Sequence, residues 1–171
     1  MGNLGIVYRR RGDLVVADEH YQQSLNINRE IGHRLGEAED LTNLGNVHLR
    51  RGDPEPAEEH YQQALDIHRE VGNRLGEALV LGNLGSVYFE RGDLEPAEEH
   101  YKQALAIQRV AGDRIGQANQ LANLGLVAAQ RAQPEEACRL LKEAAAIYEE
   151  IGAGGQGPDA VRAKLRELGC E

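Results

Sequence analysis

The sequence contains few aromatic residues and no long apolar run. Tryptophan is absent, and aromatic residues make up 4% of the 171 residues. A buried core must therefore consist mainly of Leu, Ile, Val and Ala, with Tyr at a few positions. No apolar stretch approaches the length of a membrane-spanning helix, and no signal peptide precedes Asn3. We therefore expect a soluble, cytoplasmic protein.

Basic residues are also scarce relative to acidic ones. The chain has 19 Lys and Arg against 28 Asp and Glu, which gives a formal net charge of −9. Nucleic acid phosphates and anionic membrane surfaces attract clustered Lys and Arg. We therefore expect neither a nucleic acid nor a membrane as a partner.

Cysteine and catalytic motifs are equally sparse. Cys138 and Cys170 are too few for a disulfide framework, so we expect reduced thiols, with Cys138 on a helix surface and without a nucleophilic role. The sequence has no Gly-rich phosphate loop with Lys, no His-Glu-x-x-His motif and no nucleophile elbow. These features predict no enzymatic activity, no metal and no cofactor.

A segment of 40 residues recurs along the chain. Residues 43–82 and 83–122 are identical at 24 of their 40 aligned positions. Such self-similarity is typical of stacked structural repeats, and a domain with one compact core does not require it. The tripeptide Asn-Leu-Gly marks each repeat and begins at Asn3, Asn43, Asn83 and Asn123. We predict one solenoid with repeats 1–33, 34–73, 74–113 and 114–153.

Apolar spacing predicts two helices in each repeat. In the second repeat, Leu41, Leu44 and Val47 recur every three residues and predict an amphipathic helix over about 35–51. Gly45 lies on the same stripe, where a glycine costs ~1 kcal/mol relative to alanine. It therefore indicates close approach of a second helix, and we expect Ala57 opposite it.

The connections between these helices carry turn signals. Gly52 is suited to the left-handed conformation that ends a helix, and the Asp53 side chain is expected to cap the next helix. The second helix is predicted to end near Val71, before Gly72 and Asn73. Because both connections are short, neighbouring helices should be antiparallel, and each repeat should form a helical hairpin.

Both ends of the repeat array are irregular. The first repeat has a short first helix, so the apolar residues Leu4 and Val7 should lack an N-terminal cover, whether the array is incomplete or was cut from a longer one. Residues 152–158 are rich in glycine and predict a flexible linker. Residues 159–169 then predict a short amphipathic helix that caps the array.

Three histidines share one position of the repeat. His20, His60 and His100 are separated by 40 residues each, and none has a second His or Cys three or four residues away. Successive repeats would place them roughly 10 Å apart, too far to share a metal ligated at about 2 Å. We therefore expect surface histidines rather than metal ligands.

The pattern of the third repeat resembles the tetratricopeptide repeat. Its first helix carries Leu81, Leu84, Gly85 and Tyr88, and its second carries Ala97, Tyr101 and Ala104. The repeat is longer than the usual ~34 residues and is similar to those of Pins-type polarity proteins, kinesin light chains and bacterial regulators. The resemblance implies an all-α, right-handed superhelix of about four hairpins plus a C-terminal capping helix, with first helices lining a concave groove that binds a peptide.

On this expectation, the groove is lined by first-helix residues outside the apolar stripe. An Asn side chain both donates and accepts hydrogen bonds, so the repeated Asn can either hold a peptide backbone or bond to a neighbouring helix. The positions that vary between repeats are expected to supply selectivity. The candidate groove residues are Asn3, Glu39, Thr42, Asn43, Asn46, Arg50, Asn83, Ser86, Glu90, Asn119, Asn123 and Leu126.

The sequence therefore predicts a non-catalytic scaffold that binds a protein or peptide segment. Two alternatives remain open. One is a structural module that forms homo-oligomers through its uncovered N-terminal repeat. The other is a regulatory segment of a larger signalling or transcription protein.

Overall fold

The computed structural model describes residues 2–170 and, among them, every side chain except those of residues 2, 3 and 10. This part of the chain contains nine α-helices and no β-strand, which confirms the predicted all-α fold. None of these helices is both long and apolar enough to cross a membrane. The helices are α1 (Gly2–Arg11), α2 (Leu14–Glu30), α3 (Arg34–Arg51), α4 (Pro54–Glu70), α5 (Arg74–Arg91), α6 (Leu94–Ala111), α7 (Arg114–Gln130), α8 (Pro134–Glu150) and α9 (Gln156–Glu167).

The chain divides into two compact units, residues 1–87 and residues 88–171. In the first unit, α1 packs on α2, α2 on α3 and α3 on α4. In the second unit, α6 packs on α7, α7 on α8 and α8 on α9. Each unit is therefore built from consecutive helices joined by short turns, as the hairpin prediction requires.

The turn glycine has the predicted left-handed conformation, but the predicted side-chain cap at Asp53 is absent. Gly52 has φ +85° and ends α3, whereas Ala132 takes φ +56° at the equivalent turn after α7. The Asp53 side chain makes no capping hydrogen bond, contrary to our expectation. Its carboxylate instead lies 4.0 Å from Nδ1 of His48, and only its backbone carbonyl accepts from the amide of Ala57, at 3.3 Å.

The nearest atoms to Gly45 belong to an aromatic ring, whereas a Cβ atom at the equivalent Gly125 would also lie 3.5 Å from the backbone oxygen of Ala137, the counterpart of the predicted Ala57. A Cβ atom at Gly45 would lie 2.5 Å from Cε1 of Tyr61, and one at Gly5 would lie 2.7 Å from the ring of Tyr21. Tyr61 and Tyr21 are both fully buried. Glycine is therefore required because a large ring leaves no room for a Cβ atom at this position.

Buried charges lie where one hairpin follows another. Glu37 is 7% exposed and accepts from Arg29 Nε at 2.9 Å and from Arg34 Nη1 at 2.5 Å. Burial opposes ionisation, but the two arginine hydrogen bonds prevail and hold the pKa of Glu37 below its ordinary value. Glu77, 5% exposed, pairs in the same way with Arg69 and Arg74. These ion pairs therefore lie at the junctions between successive hairpins.

The C-terminal segment differs from the prediction in two ways. Helix α9 begins at Gln156, so the last three residues of the predicted 152–158 linker are helical. Cys138 and Cys170 form a disulfide with a Cα–Cα distance of 5.5 Å, which corrects the expectation of two reduced thiols. The repeat pattern gave no indication of this pairing because Cys170 lies beyond the last repeat. Val161 of α9 is 4% exposed and joins the core of the second unit, as a capping helix should.

At the other end, the uncovered apolar face is present as predicted. Leu4 is 51% exposed and Val7 is 44% exposed on α1. Their counterparts in the second repeat, Leu44 and Val47, are 1% and 0% exposed. Leu44 and Val47 are buried because α3 packs against both α2 and α4, whereas α1 packs against α2.

Candidate functional site

One strip of α3 combines exposure with polar side chains. Glu39 and Arg50 are exposed, and Asn43 and Asn46 are half-buried. Their spacing of four, three and four residues places them on one face of the helix. This strip contains four of the five groove residues predicted on α3.

The equivalent strips on α5 and α7 share this gradation of burial. On α5, Leu79 is 55% exposed and Asn83 and Ser86 are half-buried. On α7, Asn119 is exposed and Asn123 and Leu126 are half-buried. Glu90 and Gln130, near the ends of the two helices, are exposed. The candidate surface is therefore a repeated strip, which we call the first-helix strip.

Thr42 does not belong to this strip. It is 6% exposed, and its hydroxyl donates to the carbonyl oxygen of Ala38 at 2.8 Å. It therefore lies on the packed side of α3, and the equivalent residue on α5, Gly82, is also buried. The prediction of Thr42 as a groove residue is corrected for this reason, and the side chain of Asn3 lies outside the described residues.

The repeated asparagine is partly satisfied by its own helix. Nδ2 of Asn43 donates to the carbonyl oxygen of Glu39 at 2.9 Å. Asn83 and Asn123 occupy the same half-buried position. Asn43 remains partly exposed with this hydrogen bond in place.

Asn46 has a structural partner that the sequence reading missed. Its Oδ1 accepts from the hydroxyl of buried Tyr61 at 2.9 Å. In the first repeat Ile6 replaces this acceptor, and the hydroxyl of Tyr21 has no hydrogen-bond partner among the described residues. In the fourth repeat the equivalent residues are Leu126 and Leu141. Asn46 therefore has a structural role in the second repeat, but the buried Tyr shared by the first three repeats does not by itself determine the residue at this position.

Two further strip residues are held by neighbouring helices. Asn119 Oδ1 accepts from the hydroxyl of Tyr148 at 2.5 Å, and burial raises the pKa of that hydroxyl. Arg50 Nη1 donates to the backbone oxygen of Arg9 at 3.1 Å. Both residues are exposed, but these hydrogen bonds already fix their side chains in one conformation. A ligand that contacts them therefore costs less side-chain conformational entropy.

The strips also carry an apolar end that the sequence reading did not include. Leu35, Leu75 and Ile115 are 38%, 52% and 58% exposed. Each lies four residues before Glu39, Leu79 or Asn119 and so extends the same helix face. Their recurrence every 40 residues is a signal that the sequence carries.

The histidines of this column, His20, His60 and His100, are half-buried, and each stacks against or lies beside a neighbouring ring. The ring of His60 stacks on His48 with centroids 5.2 Å apart, and the ring of His20 stacks on Tyr8 at 5.3 Å. Burial and the neighbouring His48 lower the pKa of His60. Over the described part of the chain, no cluster of three or more His, Cys, Asp or Glu side chains has the geometry of a metal site.

Comparison with known proteins identifies the repeat. A family model described as tetratricopeptide repeat matches residues 1–70, 57–110 and 76–150. A comparison with curated protein sequences finds no match.

Several solved structures have the same fold, and three of them can be compared with this chain by identity, coverage and TM-score. The crystal structure of BtubC (BKLC) from P. vanneervenii is 25% identical, with a TM-score of 0.77 over 90% of this chain and 63% of that one. A Rap protein complexed with competence and sporulation factor is 20% identical, with a TM-score of 0.83 over 96% of this chain and 46% of that one. A putative kinesin light chain with TPR-like repeats from Podospora anserina is 18% identical, with a TM-score of 0.76 over 98% of this chain and 82% of that one. The chain thus spans less than two thirds of the first two proteins.

Proposed function

Because the chain belongs to the tetratricopeptide repeat family, we propose that it is a non-catalytic scaffold that binds a protein or peptide segment through its first-helix strips. The observation that carries this proposal is the recurrence of one surface pattern. An exposed apolar residue, Leu35, Leu75 or Ile115, is followed two turns later by the half-buried Asn43, Asn83 or Asn123. A repeated pattern suits a ligand that itself repeats, and a polypeptide backbone is such a ligand.

We further propose that the four repeats, 1–33, 34–73, 74–113 and 114–153, act as one groove. Within it, the asparagines would bond to peptide backbone groups, and the apolar ends would take side chains of the ligand. Glu39, Arg50, Ser86 and Glu90 differ in charge and size between repeats and would supply selectivity. A solved structure of the same fold, a Rap protein complexed with competence and sporulation factor, supports a binding role for this fold.

The experiment is peptide selection from a random library on the whole chain, followed by affinity measurement on variants. Replacing Asn43, Asn83 and Asn123 together by Ala should weaken selected peptides by tenfold or more, because three backbone contacts are lost at about 1 kcal/mol each. A second variant, Leu75→Glu with Ile115→Glu, should weaken peptides that carry apolar side chains. The matched control replaces Gln23, Gln62 and Gln103, exposed amides of the second helices, by Ala.

Circular dichroism should show the same helicity in all variants. Selected peptides that bind the wild type and both strip variants equally would remove the strips from the function. Loss of binding in the Gln control would place the binding surface on the second helices instead.

Self-association is a second candidate, favoured by the exposure of Leu4 and Val7 on α1. A regulatory segment of a larger protein is compatible with the partial coverage of BtubC and the Rap protein.

A cytoplasmic location stays a prediction, and the Cys138–Cys170 pair bears on it because reducing compartments keep such pairs as dithiols. Thiol labelling of the chain, isolated from its source under acid quench, would determine whether Cys138 and Cys170 are present as a disulfide or as two free thiols.

A further inference from the structure

The second compact unit contains a cavity of about 340 Å³ between α6, α7 and α8. Its floor is apolar and is formed by Leu105, Leu124, Val127, Ala128 and Leu140. No residue of the first-helix strip lines it, so the cavity is separate from the proposed peptide surface. Its volume lies at the lower end of the ~300–1,000 Å³ found for small-molecule sites.

The cavity exists because the fourth repeat lacks a pair of rings. Tyr88 and His100 of the third repeat lie with their ring centroids 5.1 Å apart, and His48 and His60 of the second repeat are stacked. Forty residues after Tyr88 and His100, the sequence has Ala128 and Leu140, and both line the cavity. The two replacements remove the aromatic groups while keeping the helices that enclosed them.

The walls around the cavity match those around the His48–His60 pair. In the second repeat, Arg51 Nη1 lies 3.6 Å from Asp18 beside the stacked rings. In the fourth repeat, the equivalent Arg131 pairs with Glu98 on the cavity wall. Beneath them, Leu124 is 6% exposed where its counterpart Leu44 is 1% exposed. The apolar floor is therefore slightly more exposed in the fourth repeat than in the second.

The rim of the cavity is charged but internally paired. Glu98 pairs with Lys102 at 2.6 Å, and Arg109 pairs with Glu143 at 3.2 Å. Arg139 lies 3.5 Å from Glu143 as well. Since these ions already have partners, the site does not require a strongly charged ligand. Its floor instead favours a flat apolar group whose polar edge reaches the rim.

We propose that this cavity binds a small aromatic molecule of one or two fused rings, which takes the place of the missing ring pair. A dry apolar cavity of ~150 Å³ is already sufficient for benzene. A volume of about 340 Å³ therefore accommodates a substituted ring. Aromatic ligands are favoured over aliphatic ones because the shared walls pack against flat rings in the other repeats.

The test uses phenol, indole and benzoate as probes and cyclohexanol as the aliphatic comparison. Calorimetric titration of the full chain should show one site for at least one aromatic probe and at least tenfold weaker binding of cyclohexanol. The variant Ala128→Tyr with Leu140→His rebuilds the pair of the third repeat and should weaken the aromatic probe at least tenfold. The reciprocal variant, His48→Ala with His60→Leu, opens the second repeat and should raise the stoichiometry to two.

Three results would overturn the proposal. They are no binding of any aromatic probe at millimolar concentration, equal binding of cyclohexanol, and undiminished binding in the rebuilt variant. If the rebuilt variant does not fold, the reciprocal variant decides, because its substitutions lie in the other compact unit and leave the cavity intact. An unchanged stoichiometry in a folded reciprocal variant would then contradict the proposal.

Discussion

At the scale of single residues, Gly45 lies against the buried ring of Tyr61 with no room for a side chain. Replacing Gly45 by Ala gains about 1 kcal/mol in helix propensity. It also forces a methyl group to within 2.5 Å of a ring that is fully buried and anchored through its hydroxyl to Asn46. Overpacking of this kind costs about 1–3 kcal/mol, so we expect a net loss of about 1 kcal/mol.

Urea denaturation of the Gly45→Ala variant measures this difference. Gly154→Ala is the control, because a Cβ atom at Gly154 meets no atom within 4 Å and the residue has no positive φ. The control should be as stable as the wild type within a few tenths of a kcal/mol. A Gly45→Ala protein more stable than the wild type would show that propensity outweighs packing here.

A second residue-scale prediction concerns pH. His68 is 3% exposed, and burial lowers its pKa, with Glu39 and Glu77 opposing the shift. The unfolded chain therefore binds the proton more readily than the folded chain. The free energy of unfolding should fall as the pH drops through about 6.5, the ordinary pKa of histidine.

His68→Gln isolates this contribution, because Gln108 is the equivalent residue of the third repeat. The variant should lose less stability than the wild type between neutral pH and pH of about 5. His60, whose pKa is also lowered, remains in both proteins and cancels from the comparison. Parallel pH profiles of the two proteins would show that His68 is not responsible.

At the scale of helices, the sequence predicted the helices and their hairpins well but did not predict which side chains are buried or bonded between them. Helix α3 was predicted over about 35–51 and spans Arg34–Arg51, because apolar spacing and a turn glycine are local signals. The burial of Glu37 and Thr42 was missed, since composition assigns Glu to solvent and helix spacing alone does not show which flank a neighbour covers. The Cys138–Cys170 bond depends on how α9 folds back, which no repeat position encodes.

The disulfide leads to a prediction for α9. It joins residues 32 apart, and a closed loop of this length corresponds to about 3–4 kcal/mol in the chain-entropy description. Apart from the disulfide, α9 is held mainly by contacts with α8 and by buried Val161. Reduction should therefore increase hydrogen exchange of amides 156–167 well before it affects other helices.

Exchange measured by mass spectrometry with and without dithiothreitol tests this prediction. Amides of α4, which lies in the other compact unit, are the internal control. The double variant Cys138→Ser with Cys170→Ser should reproduce the reduced pattern without reductant. Unchanged protection of 156–167 in both samples would show that packing alone holds α9.

At the scale of the whole molecule, the exposed face of α1 decides between a binding scaffold and a self-associating module. The face is formed by Leu4 and Val7 on a helix of 10 residues. Such a helix is about 15 Å long, and one side of it covers much less than the ~800 Å² per partner of a standard interface. We therefore expect a monomer of 18.8 kDa from micromolar to near-millimolar concentration, measured by light scattering after size exclusion.

A mass that doubles with concentration and returns to the monomer value in the Leu4→Glu, Val7→Glu variant would instead establish self-association through α1. The same variant should leave peptide binding unchanged, because neither residue belongs to the strips on α3, α5 or α7.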